Sequence, residues 1–137
     1  MDVGCGTGLL LQKISIKIKK GVGIDLSYGL LLWAHSKLKK MQHMNLIISD
    51  SLNLPFKLAT FDVLFAITLF QNLVNPKKAL LEMIKVTKKG ATIIISGLKK
   101  HFNEEEFISL LTSTGLKIKK FVFKDLKDYV AICINNY

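Results

Sequence analysis

Apolar residues recur along the chain in two rhythms, and the rhythms alternate. Short β-branched runs predict six strands, at residues 21–26, 45–51, 61–67, 91–98, 116–124 and 129–135, with a stub of a strand at 1–3. Helix-period spacing predicts a helix over 28–40, with Leu30, Ala34 and Leu38 on one stripe, and another over 76–88, with Leu80, Met83, Ile84 and Thr87 on one stripe. Asn75 stands where a cap belongs, and Pro76 occupies the first helical position, where a missing N–H costs nothing. A third helix over 104–114 starts after Asn103 and carries Glu106 three residues on, the pattern of a capping box, and Gly115 supplies a left-handed stop. Strand and helix alternate until two strands follow one another at the end. That order predicts an α/β fold: a mostly parallel sheet with helices on both faces, finished by an antiparallel hairpin.

Composition agrees with one folded domain over residues 1–137. Half the residues are hydrophobic and 22% are charged, enough apolar material for a core without disulfides or a structural metal. No apolar stretch approaches the roughly 20 residues of a membrane span, and the first residues lack the basic and apolar runs of a signal peptide, so a cytoplasmic location is expected. Cys5 and Cys133 lie far apart, belong to no metal-spaced cluster, and are expected to be free thiols packed as small residues. A formal charge of +10 leaves nucleic acid open as a partner. The detail weakens that reading: all the Lys and Arg positions are Lys, so the planar, bidentate contacts that favour Arg at phosphates and bases are missing.

The strongest local signal is Asp2-Val3-Gly4-Cys5-Gly6-Thr7-Gly8, placed where a strand turns into a helix. Glycines at such a turn bend the backbone tightly and let it approach a ligand, although glycine also serves ordinary turns. The next strand ends in Gly23-Ile24-Asp25, where nucleotide-binding folds place a carboxylate for the ribose hydroxyls. The strand after that ends in Ser49-Asp50; both acids also suit simple strand-end turns. A dinucleotide dehydrogenase would space its glycines G-x-G-x-x-G, whereas this loop has Gly4, Gly6 and Gly8 followed by Leu9.

Together with Ser51-Leu52-Asn53-Leu54-Pro55-Phe56 and Phe61-Asp62-Val63-Leu64, these motifs closely resemble the class I, Rossmann-like, S-adenosylmethionine-dependent methyltransferases, over nearly the whole chain and in the same order. The resemblance implies S-adenosylmethionine as cofactor and methyl transfer as reaction. It implies that Gly4, Cys5, Gly6 and Gly8 cradle the methionine part, with Asp2 near its amino group. Asp25, with Leu26 beside it, would hold the ribose, and Asp50 the adenine amino group. The amides of Ser51 or Leu52 would meet the ring, and Ile67 with Thr68 would line the far side.

Two departures bear on activity. Members of the family often carry His-His-Leu-x-Asp-Pro after the fourth strand, where this chain has Gln71-Asn72-Leu73-Val74-Asn75-Pro76, with amides for both imidazoles. Gln71, Asn72 and His101, the last just after the fifth strand, are the remaining candidates for handling the acceptor. The chain also starts almost at the glycine loop, so the first strand is expected to be truncated, with a partner or a second copy as one source of cover. Two readings stay open: a methyltransferase acting on an unidentified small molecule, tRNA or protein, and a non-catalytic cofactor-binding module that stabilises a partner.

Overall fold

The computed structural model describes all residues, 1–137. Seven strands form one sheet in the order β3-β2-β1-β4-β5-β7-β6. They are β1 (Asp2–Val3), β2 (Gly21–Asp25), β3 (Met44–Ile48), β4 (Phe61–Ala66), β5 (Thr87–Leu98), β6 (Lys117–Val122) and β7 (Asp128–Ile134). Four helices connect them: α1 (Leu9–Ile14), α2 (Tyr28–Leu38), α3 (Pro76–Val86) and α4 (Glu104–Thr112). The strands from β3 through β5 run parallel, and β7 lies antiparallel between β5 and β6. The stub β1 is central despite its two residues, pairing with β2 on one side and β4 on the other. From β1 the chain winds outward through β2 and β3, then returns to β4 on the opposite side. That reversal opens a crevice at the carboxyl ends of β1 and β4.

Each face of the sheet has its own apolar layer. On one face α3 and α4 bury Leu80, Met83, Phe107 and Leu111 against Leu64, Ile93, Ile95 and Ala131. Each large side chain removed from water there contributes about 1.5–3 kcal/mol before entropy is charged against it. On the other face α1 and α2 set Leu11, Leu31 and Leu38 against Cys5. Close approach of α1 to the sheet needs Gly23: a β-carbon there would stand 2.5 Å from a Leu11 methyl and 2.8 Å from the Cys5 sulfur. Phe65, Ile94 and Ile132 form a row across that second face and are half-exposed.

Local signals mark most element ends. Asn75 accepts from the Lys78 N–H, and Asn103 and Glu106 close a reciprocal capping box on α4. Several elements end earlier than expected, α2 at Leu38 instead of 40 and β3 at Ile48 instead of 51 among them. Helix α3 stops at Val86 instead of 88, and β5 begins at Thr87 instead of 91. There the Ile84 carbonyl accepts from the Thr87 N–H and hydroxyl, and Asn135, buried just after β7, donates from Nδ2 to the carbonyls of Ile84 and Thr87 at 3.1 Å. In α2 the buried residues are Leu31, Ala34 and Leu38, and Leu30, expected on the core stripe, is 39% exposed. Finally α4 ends at Thr112 and not at 114, with Ser113 and Thr114 folding their hydroxyls back onto Leu110 and Leu111.

Candidate cofactor site

The crevice holds a cavity of about 380 Å³. Its walls come from the carboxyl ends of four strands and the turns that follow them: Val3, Gly4 and Gly6 after β1, Ile24, Asp25 and Leu26 after β2, Ser49 to Ser51 after β3, and Thr68, Leu69, Asn72 and Leu73 after β4. Residues distant in sequence therefore meet only because parallel strands deliver their ends to one edge.

Main-chain hydrogen bonds anchor the glycine loop. The N–H groups of Gly4 and Cys5 both donate to the Ile24 carbonyl, at 2.8 and 2.9 Å, and the Gly6 N–H donates to Asp25 Oδ2 at 2.9 Å. Gly6 has φ +51, and a β-carbon there would meet nothing within 4 Å, so the loop presents bare backbone to open space. Gly8 serves packing: with φ +74, its absent β-carbon would stand 3.0 Å from that of Ala34 in α2.

Both downstream acids organise turns and line the cavity at once. Asp25 accepts from Gly6 through Oδ2 and from the Ser27 N–H through Oδ1 at 2.9 Å; Asp50 accepts from the Leu52 N–H at 2.9 Å through Oδ1. A carboxylate offers about four lone pairs, so Asp25 keeps two and Asp50 three for other donors. A vicinal diol and an exocyclic amine are donors of that kind. Asp2 differs: only 3% exposed, it receives no hydrogen bond from the chain, and burial pushes its carboxyl up to about 7, with Asp25 adding to the effect and the Met1 amine opposing it. A buried carboxyl without a donor at the head of the glycine loop suits a ligand ammonium group. Bare backbone at Gly6 and free acceptors at Asp25 and Asp50 share the cavity, whereas Asp2 stands outside its lining.

The remaining candidates are placed as follows. Asp2, Cys5, Gly8, Leu52 and Ile67 stand outside the cavity lining, and burial pushes the Cys5 thiol up to about 12. Asn72 lines the cavity. Gln71 turns back instead, donating from Nε2 to the Thr68 carbonyl at 2.6 Å and leaving Oε1 buried without a donor. His101 is exposed in the turn after β5 and stands outside the cavity. Sequence reasoning missed Val3, Ile24, Leu30, Ser49, Leu69 and Leu73 as lining residues. Position at or directly after a strand's carboxyl end was the usable signal for Val3, Ile24 and Ser49 alone.

Residues 1–95 match the model of the methyltransferase domain. The ubiquinone/menaquinone biosynthesis C-methyltransferase of Campylobacter jejuni is 31% identical over 101 residues, a match covering 69% of this chain and 42% of that protein. The phosphatidylethanolamine N-methyltransferase of Cereibacter sphaeroides is 33% identical over 98 residues, covering 69% and 48%. The chain thus spans less than half the length of these relatives. A S-adenosylmethionine-dependent methyltransferase from Aquifex aeolicus superposes with a TM-score of 0.85 over 98% of this chain and 80% of that one, at 23% identity, a likeness of fold. Matched in order from the glycine loop into the fifth strand, the chain belongs to the methyltransferase-domain family.

Proposed function

We propose that this chain binds S-adenosylmethionine in the cavity at the β1/β4 crevice and carries out methyl transfer by in-line displacement to an acceptor entering beside the turn after β4. The observation that carries the reading is convergence: Gly6, Asp25 and Asp50 come from three separate segments and line one hollow. Bound there, the cofactor supplies a methyl group activated on a sulfonium. Gly4 and Gly6 bring main chain against the methionine part, and Asp2 meets its ammonium. Asp25 accepts from the ribose hydroxyls, Asp50 from the adenine amino group, and the Ser51 and Leu52 amides border the ring. Asn72 is the polar side chain left to orient an acceptor.

No imidazole lines the cavity. The transfer therefore rests on alignment of donor and nucleophile at about 3 Å, which suits an acceptor that needs no proton removed beforehand. The relatives act on acceptors as different as a quinone precursor and a lipid amine. Here the acceptor is a small molecule, a tRNA or a protein, met in the cytoplasm; no helix is long and apolar enough to cross a membrane. One observation favours a second reading, a cofactor-binding module without turnover: Gln71, standing where relatives often have an imidazole, spends its amide on Thr68.

Calorimetric titration of the purified chain with S-adenosylhomocysteine tests the shared premise. Binding is expected, and Asp25→Ala should weaken it at least about tenfold, since each hydrogen bond to a charged acceptor contributes about 1.5–3 kcal/mol. Unchanged affinity in that variant would remove the ribose assignment. Incubation with methyl-labelled cofactor and a cell extract separates the readings: label in an acceptor fraction means an enzyme, and binding without transfer means a module.

A further inference from the structure

We propose that Asp128 is a positioning residue of the cofactor site, holding the corner after β4 in the strained form that walls the cavity. The inference rests on the cofactor reading of that cavity. Its starting point is Thr68, a β-branched residue at φ +54, in the left-handed region that such side chains avoid. That corner supplies four lining residues, Thr68, Leu69, Asn72 and Leu73. Leu69 also packs on Gly4, whose absent β-carbon would stand 2.8 Å from its methyl, so the corner braces the glycine loop as well.

A closed ring of hydrogen bonds holds Thr68. Its N–H donates to Ser96 Oγ at 2.8 Å, Ser96 Oγ donates to Asp128 Oδ2 at 3.1 Å, and Thr68 Oγ1 donates to the same Oδ2 at 3.3 Å. The Thr68 carbonyl accepts from Gln71 Nε2. Every polar group of this residue is thus engaged, and strain of this kind persists only where the surroundings over-determine it. The antiparallel register assembles the ring. Ser96 pairs with Val130, which puts Asp128 two residues along β7 on the same face of the sheet. Asp128 Oδ2 accepts two hydroxyl protons, so its work is geometric: it needs an oxygen at that point, not a charge.

The test is calorimetric titration of the full chain with S-adenosylhomocysteine, in wild type, Asp128→Ala, Asp128→Asn and the double variant Thr68→Gly/Asp128→Ala. Loss of the acceptor should weaken binding about tenfold, equivalent to about 1.4 kcal/mol. Asparagine keeps an acceptor oxygen and should stay within about threefold of wild type. Glycine takes positive φ without strain, so the double variant should recover most of the lost affinity. Wild-type affinity in Asp128→Ala overturns the proposal, and so does Asp128→Asn binding as weakly as Asp128→Ala, or a double variant that recovers nothing. Should wild type itself fail to bind, the cofactor reading falls along with this one. Where circular dichroism shows Asp128→Ala unfolded, Ser96→Ala breaks the same ring at another atom, and Thr68→Gly/Ser96→Ala supplies the same comparison.

Discussion

Asp2 offers the sharpest quantitative test of the site. Burial raises its carboxyl from the ordinary 3.8 to about 7. Between those values the native state keeps a proton that the unfolded chain has released, so stability must fall as pH rises from about 4 to about 7 and level off above. Roughly three units at about 1.4 kcal/mol each set a ceiling near 4 kcal/mol on the effect. Urea unfolding followed by circular dichroism at about pH 5 and pH 8, in wild type and Asp2→Asn, isolates it. Other carboxylates contribute equally to both proteins and cancel. The Met1 amine, which burial pushes down to about 6, acts with the opposite sign, and because it interacts with Asp2 it stays part of the measured difference. The wild type should lose about 2–3 kcal/mol more than the variant over this interval, which spans about two of the three units. Affinity for S-adenosylhomocysteine should rise with pH through about 7 in wild type alone, because the ligand's ammonium favours the ionised carboxylate. Parallel pH profiles for the two proteins would refute both the buried carboxyl and its part in binding.

Two further outcomes follow from packing. Gly8→Ala places a β-carbon 3.0 Å from that of Ala34 on a left-handed backbone, and should lower unfolding free energy by about 1–3 kcal/mol; an unchanged urea midpoint would remove Gly8 from the α1–α2 contact. Burial raises the thiols of Cys5 to about 12 and Cys133 to about 11. Ellman's reagent at about pH 8 should therefore find no reactive thiol in the native protein and two in denaturant, and fast native labelling would contradict the burial of either.

Much of this was written locally in the chain. Alternating periods of two and 3.6 set the order and type of the strands and of three of the four helices, α1 being expected only from the glycine turn before it, because each period turns one side of an element apolar whatever it later packs against. Asn103 with Glu106 and Asn75 with Pro76 marked helix starts by chemistry acting within four residues. The glycine loop and the two acids were legible for the same reason, since tight turns and strand-end carboxylates leave short signatures. What lay beyond reach depended on partners far along the chain. Asn135 reaches the end of α3 across 51 residues, and Asp128 reaches Thr68 across 60. Leu31 displaced Leu30 from the core because the sheet, and not the helix's own period, decided which way α2 faces. A sequence records what each segment can form by itself. Only the folded sheet, by setting strand order and register, determined that Asp25, Asp50 and the corner at Thr68 share one cavity, because the contacts that join them have no local pattern to betray them.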